Sequence, residues 1–243
     1  MLASSLFTDA PRASRLTPQL MRLAIVVPTL NEEGTLRRTL PAALAVADEL
    51  VVSDGGSGDR TPEVAGELGA RVIRGPAGRG GQLNRGAAAT SAELLLFLHA
   101  DTTLPAAAPG AIRAAIAGGA VGGAFLMRFD TEPPLLRLGS RLINLRTRWT
   151  RLPLGDQAQF VTREAFAALG GFRDWPLLED LDFAWRLRKH GRTAILADKV
   201  TTGARRFLEL GVVRTVTINW LIWAAFVAGV PPRRLARFYR QVR

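Results

Sequence analysis

Residues 22–33 read RLAIVVPTLNEE, an apolar, β-branched run that stops at Pro28 and passes into a polar, acid-bearing stretch. Such a run suits a buried parallel strand, and Glu32 and Glu33 suit the first turn of a helix. That helix is expected over 31–47, with Asn31 as its cap. The alternation continues outward. Strands are expected at 49–53 (ELVVS), 71–74 and 93–98 (ELLLFL), and helices at 61–68 and 82–90, the last preceded by a glycine-rich loop, Gly75 to Gly81. Strand–helix alternation from 22 to 101 predicts a doubly wound, mostly parallel α/β sheet. Ligands bind such sheets beyond the carboxyl ends of the strands, where Pro28 to Glu32, Asp54 and His99 to Asp101 fall.

The second half is mixed. Residues 119–129 are glycine-spaced and β-like, 135–149 form an amphipathic helix carrying Arg137, Arg141 and Arg148, and Gly155-Asp156-Gln157 opens a strand at 159–162. Helices are expected at 164–169 and 179–190, the second stopped by Gly191. No repeat or low-complexity linker interrupts the chain. One domain is expected over 21–211, after a disordered leader at 1–20 that lacks the apolar core of a secretory signal. A basic helical tail follows at 212–243. Its apolar part, Trp220 to Val230, is too short to span a bilayer, which leaves a core helix or a helix lying on a membrane between arginines.

Composition narrows the chemistry. The 243 residues include no Cys and two His, His99 and His190. Disulfide scaffolds, thiolate metal sites and Cys nucleophiles are excluded, and a reducing, cytoplasmic setting fits, at most peripheral to the inner face of a membrane. The net charge of +11 is concentrated near the end: residues 186–243 hold 13 basic and 2 acidic side chains. Only Lys189 and Lys199 are lysines, so the charge is guanidinium, suited to phosphates and carboxylates. The tail lacks the patterning of nucleic-acid binders.

Four constellations stand out. Asp54 and Asp101 close neighbouring strands; one such residue alone caps a helix, but two facing one crevice point to a ligand. His99-x-Asp101 sends an imidazole and a carboxylate to one side, where they can hold a divalent ion, Mg or Mn, that grips a diphosphate. Gly78-Arg79-Gly80-Gly81-Gln82 lets backbone amides and a guanidinium approach an anion, although glycine loops before helices are common. Glu179-Asp180-x-Asp182 places three carboxylates at a helix start, more than capping requires, and Asp180 is the candidate to take a proton from a hydroxyl. Arg205-Arg206, after Thr201-Thr202-Gly203, is a solvated pair or a clamp on diphosphate charge.

Taken together these residues resemble the family 2 glycosyltransferases of the GT-A fold. The resemblance runs from 22 to about 210 and rests on VVPTLNEE (26–33), VVSDGGSGDRT (51–61), FLHADT (97–102) and LLEDLDFAWRLRKHG (177–191) in order. More narrowly, GRGGQLNRGA, the GDQ at 155–157, GGF at 170–172 and TTGARRF at 201–207 resemble the radical-SAM/selenodomain-associated branch, linked to arsenosugar biosynthesis. The resemblance implies a nucleotide pocket lined by Pro28, Thr29 and Glu32, with Arg79 and Gln82 on the donor side and Asp54 on the base or ribose. It implies metal binding at Asp101, with His99 where the family has an aspartate, and Asp180 as catalytic base. Asp156 and Gln157 would face the acceptor; Glu179, Arg205 and Arg206 would stand on the acceptor or diphosphate side.

The implied activity is an inverting transfer of sugar from a UDP- or GDP-linked donor to an acceptor hydroxyl, on a lipid-linked or small molecule, assisted by Mn or Mg. A nucleotidyltransferase would carry a glycine and basic loop after the first strand, where this chain has PTLNEE. The alternative from another class is a membrane- or anion-binding protein on a degenerate, noncatalytic transferase fold.

Overall fold

Strand β1 (Leu23–Thr29) is buried along nearly its whole length. Leu23, Ile25 and Val27 enter one core and Ala24 and Val26 the other, the two-residue period of a strand covered on both faces. The computed structural model describes residues 17–131 and 133–239, without the side chains of Arg206 and Phe238. Residues 1–16 of the expected leader and 240–243 of the tail lie outside the described residues.

The first half alternates as its sequence predicts: α1 (Glu33–Leu44), β2 (Glu49–Asp54), α2 (Thr61–Glu67), β3 (Arg71–Arg74), α3 (Arg79–Ala88) and β4 (Leu94–Phe97). The second half adds β5 (Thr102–Thr103), α4 (Ala108–Ala117), β6 (Gly122–Phe129), α5 (Pro134–Thr150), β7 (Gln159–Thr162) and α6 (Arg163–Ala168). It closes with α7 (Glu179–His190), β8 (Thr193–Thr202), α8 (Arg205–Leu210), α9 (Val212–Val227) and α10 (Pro232–Leu235). One sheet takes the order β3-β2-β1-β4-β7-β6-β8-β5. Strands β3, β2, β1 and β4 are parallel, whereas β7 runs antiparallel to both its neighbours and β8 is parallel to β6 and antiparallel to β5. The parallel first half and the mixed second half are both as expected.

Helices cover the two faces. Leu36 and Leu40 of α1 and Ile112 of α4 fill one core. Leu83 of α3 and Phe183 and Leu187 of α7 fill the other, where Phe97, Phe172 and Phe183 stack edge-on or tilted. A third cluster joins Leu177, Leu178 and Leu181 at the start of α7 to Ile222 of α9 and Leu235 of α10. Among the described residues no helix is long and apolar enough to cross a membrane.

Two local expectations are corrected, and two elements had not been expected. Asn31 does not cap α1: it adopts a left-handed conformation, φ 55°, its N–H donates to Ser57 Oγ and its Oδ1 accepts from the Gly58 N–H, each at 2.9 Å. It ties two loops together. The glycine loop is shorter than expected, because α3 begins at Arg79 and takes in Gly80 and Gly81. The strand at 159–162 is as expected, and Gly155 to Gln157 before it forms a 3-10 turn. Strand β8 and helix α4 had no counterpart in the pattern; β8 mixes buried and exposed residues without a period, and its register with β6 shifts at Phe125/Leu126.

Helix α3 lies close on β1 because Gly86 has no side chain: a Cβ there would sit 2.2 Å from Val26 Cγ1. Gly86→Ala is expected to push α3 off the sheet and lower stability by roughly 1–3 kcal/mol. Chemical denaturation against wild type measures it.

Candidate active site

The carboxyl ends of β1 and β4 open onto a crevice in two parts. One is a groove of about 480 Å³ lined by Pro28, Thr29, Glu32, Ala77, Trp175 and Pro176, among others. The other is a deeper cavity of about 220 Å³ lined by Phe129, Asp156, Leu177, Asp180, Ile222 and Trp223, among others. Arg79, His99, Asp101 and Tyr239 border both.

The start of α3 and the start of α7 meet between them. Arg79 Nε donates to Glu179 Oε1, an ion pair in which Glu179 is 1% exposed. Burial alone would lower the guanidinium pKa, but Glu179 and Asp180 raise it. Burial likewise pushes the Glu179 carboxyl up, against the pull of Arg79, and Glu179 Oε2 has no hydrogen-bond partner. Glu179 therefore holds Arg79 in place and stands behind the cavity wall. Arg79 Nη1 lies 3.5 Å from His99 Nε2. Burial and this adjacent guanidinium push the imidazole pKa down, so His99 is neutral at pH 7.

Asp180, in the first turn of α7, accepts the Gly155 N–H on Oδ2 at 2.6 Å and the Leu181 N–H on Oδ1 at 2.7 Å. Gly155 permits the contact: a Cβ there would lie 2.5 Å from His99 Nε2 and 2.9 Å from Asp180 Oδ2. Two backbone donors thus hold the Asp180 carboxylate in the cavity wall. Its neighbour Asp156 leaves Oδ1 buried without a partner. Burial pushes the Asp156 carboxyl up to about 6, opposed by Arg146 and assisted by Asp180. Arg146 is buried on α5, its pKa lowered by desolvation and sustained by Asp156.

Asp101 opens onto both parts of the crevice. Burial of its carboxyl and the nearby Glu32 charge raise its pKa, while Thr102 and then Arg205 pull it down. A cation would relieve that pressure. Among the described residues no three His, Asp or Glu side chains are grouped to hold a metal unaided. Asp101 fits a Mg or Mn site completed by ligand oxygens. His99 fits poorly, since a cation at Nε2 would meet the Arg79 guanidinium.

Other expected site residues turn inward. Asp54 is 1% exposed; its oxygens accept from Thr29 Oγ1, Ser57 Oγ and the Gly56 and Ser57 N–H groups, so it builds the loop after β2. Gln82 donates from Nε2 to the carbonyls of Thr29 and Ser53, each at 2.8 Å, lashing α3 to β1 and β2 at the groove floor. Gln157 does not face an acceptor: it is fully buried, accepts from Thr147 Oγ1 and the Leu154 N–H, and donates to the Phe125 carbonyl. Arg205 is exposed near Asp101, and the Arg206 side chain lies outside the described residues. Unforeseen members are Arg146, and Asn219, Trp223 and Tyr239 from the tail. Trp223 Nε1 is a buried donor without a partner.

Residues 24–172, more than half of the chain, match the family model Glycosyl transferase family 2. The chain belongs to this family. A 96-residue stretch is 36% identical to glucosyl-3-phosphoglycerate synthase of Mycobacterium tuberculosis, covering 34% of this chain and 30% of that protein. The chain thus spans under a third of the length of the curated relatives it matches. Among solved structures, the mannosyltransferase PcManGT from Pyrobaculum calidifontis, in complex with GDP-Man and Mn2+, superposes with a TM-score of 0.61 at 19% identity, over 93% of this chain and 70% of that one. TarS 1–349 of S. aureus gives 0.59 at 21% identity, over 82% and 65%. Glucosyl-3-phosphoglycerate synthase with Mn2+, UDP and glucosyl-3-phosphoglycerate gives 0.57 at 23% identity, over 84% and 80%. The shared architecture is the GT-A fold of family 2.

The raised pKa of Asp156 has a sign. Between pH 4 and 6 the folded protein keeps a proton that the unfolded chain releases near the ordinary aspartate value of 3.8. Stability therefore falls as pH rises through that window and levels off above it. Asp156→Asn should flatten the fall by on the order of 2–3 kcal/mol, read from denaturant midpoints at pH 4 and 7.

Proposed function

We propose that the protein is an inverting glycosyltransferase, moving a sugar from a UDP- or GDP-linked donor to an acceptor hydroxyl. The observation that carries this reading is Asp180 in the wall of the deeper cavity, its carboxylate held by the Gly155 N–H, beside the residues Arg79, His99 and Asp101 that border both parts of the crevice. In-line displacement needs a base on the acceptor side and charge stabilisation on the leaving-group side. Asp180 takes the acceptor proton as the hydroxyl oxygen attacks the anomeric carbon and the bond to the diphosphate breaks. One displacement inverts the centre. Pro28, Thr29 and Glu32 line the donor groove, and Arg79 and Arg205 supply positive charge near the departing diphosphate. A divalent cation, when bound at Asp101, supplies further charge there. The family relatives hold GDP-Man or UDP together with Mn2+, which supports the donor class.

The acceptor is read from the cavity. Its described lining combines three carboxylates, Asp101, Asp156 and Asp180, with apolar side chains such as Phe129, Ile222 and Trp223. Its cationic member, Arg79, is already paired with Glu179. An uncharged hydroxyl compound with an apolar portion fits; an anionic one would meet carboxylates. Within the family the reading extends to the radical-SAM/selenodomain-associated branch; what supports it is the sequence motifs GRGGQLNRGA, GDQ, GGF and TTGARRF.

Asp180→Asn should reduce transfer by roughly 10²–10⁴-fold while nucleotide binding persists in calorimetric titration. Asp101→Ala should lose the Mn- or Mg-dependent part of UDP or GDP binding. Full activity in Asp180→Asn would remove Asp180 from the role; the buried Asp156, whose Oδ1 accepts no hydrogen bond, would then be the base. Phosphoglyceric acid, bound by the mycobacterial relative, is expected to give no product here when donor consumption and product are followed by mass spectrometry.

A further inference from the structure

Helix α5 exposes Leu135, Leu138, Leu142, Leu145 and Trp149, from 43% to 79%. The intervals alternate three and four residues, so the five side chains form one stripe along the helix, roughly 20 Å long. The other side of α5 is packed: Leu136, Ser140, Asn144 and Thr147 are buried, and Asn144 bonds the N–H and the carbonyl of Met127. Next to α5 lies α9, which it meets where Gly139 faces Val216. Helix α9 also has two sides. Asn219, Ile222 and Trp223 line the cavity, while Val213, Trp220, Leu221 and Val227 are exposed. Single exposed apolar residues are ordinary; a stripe with a second apolar helix beside it is a surface built to be covered.

Charge chooses the cover. Helix α5 carries Arg137, Arg141, Arg146 and Arg148 and no acidic residue, and α9 carries Arg214 and none. Arg233, Arg234 and Arg237 follow, again without an acid. All of these but Arg146 are exposed. A second copy of the same face would bring arginines against arginines. An anionic lipid surface instead accepts the leucines at the acyl boundary, guanidinium groups at its phosphates and tryptophans between.

We propose that α5 and α9 form a docking face for an anionic membrane, to which the protein binds peripherally. The inference extends beyond the transferase reading and does not require it. Docking sets α9 against the lipid with its other side lining the cavity.

The test sediments the full chain with vesicles of phosphatidylcholine alone, and of phosphatidylcholine with phosphatidylglycerol, at low and high salt. Wild type is expected to bind the anionic vesicles at least about tenfold better than neutral ones, and less as salt rises. The combined variant Leu138→Ser, Leu142→Ser, Trp149→Ser should lose about tenfold or more of that binding. Arg141→Gln with Arg148→Gln should lose about fivefold per arginine. None of the five side chains lines the crevice, so unchanged nucleotide binding and circular dichroism verify the fold of each variant. No preference for anionic vesicles overturns the proposal, as does binding that the apolar variant leaves intact. A dimer in lipid-free solution that the apolar variant dissociates also overturns it and assigns the face to a second copy.

Discussion

The ion pair between Arg79 and Glu179 joins two helix starts that lie a hundred residues apart in the chain. A buried carboxylate is costly unless it is paired, and Glu179 is almost wholly buried. Arg79 supplies the partner from α3, and the amino-terminal end of α7 supplies a favourable dipole. With both helix starts pinned, the guanidinium stands beside His99 and the next residue, Asp180, is turned toward the cavity. The imidazole, the carboxylate and the boundary between the two parts of the crevice all follow from this one contact. Removing either charge would leave the other uncompensated at the centre of the site.

The sheet explains why the crevice has two unlike parts. The loops after the parallel strands β3, β1 and β4 line a groove that carries charged and polar side chains such as Glu32, Arg79, Gln82 and Asp101. Beyond β4 the direction reverses at β7, and the edge built from β6, β8 and the helices after it contributes apolar side chains. A polar groove next to an apolar, acid-lined cavity suits two substrates of different character. Asp101, at the end of the parallel half, borders both.

The closing helices complete the second part. Ile222 and Leu235 pack on Leu178 and Leu181 of α7, so the element that carries Asp180 is also the one that holds α9 in place. Helix α9 then works on two sides, one to the cavity and one to the exterior.

The parallel half was legible in the chain because strands buried on both faces read as continuous apolar runs, each stopped by Pro28, Asp54 or His99. The charged helix start at 179–182 and the positions of Asp101 and Asp180 could also be read, since carboxylates in excess of capping needs are visible without a fold. Strand β8 could not, because its burial has no period. Nor could the fates of Asp54, Gln82 and Gln157. A polar side chain in a motif looks the same whether it meets a ligand or a backbone carbonyl, and here backbone groups claimed all three. Arg146 gave no signal among the other arginines of α5, and only its burial against Asp156 set it apart. The linear order of apolar and polar residues set the strand ends, and with them the mouth of the crevice. The tertiary structure decided which polar groups were left free to use it, because hydrogen-bond satisfaction depends on neighbours that lie far away in the chain.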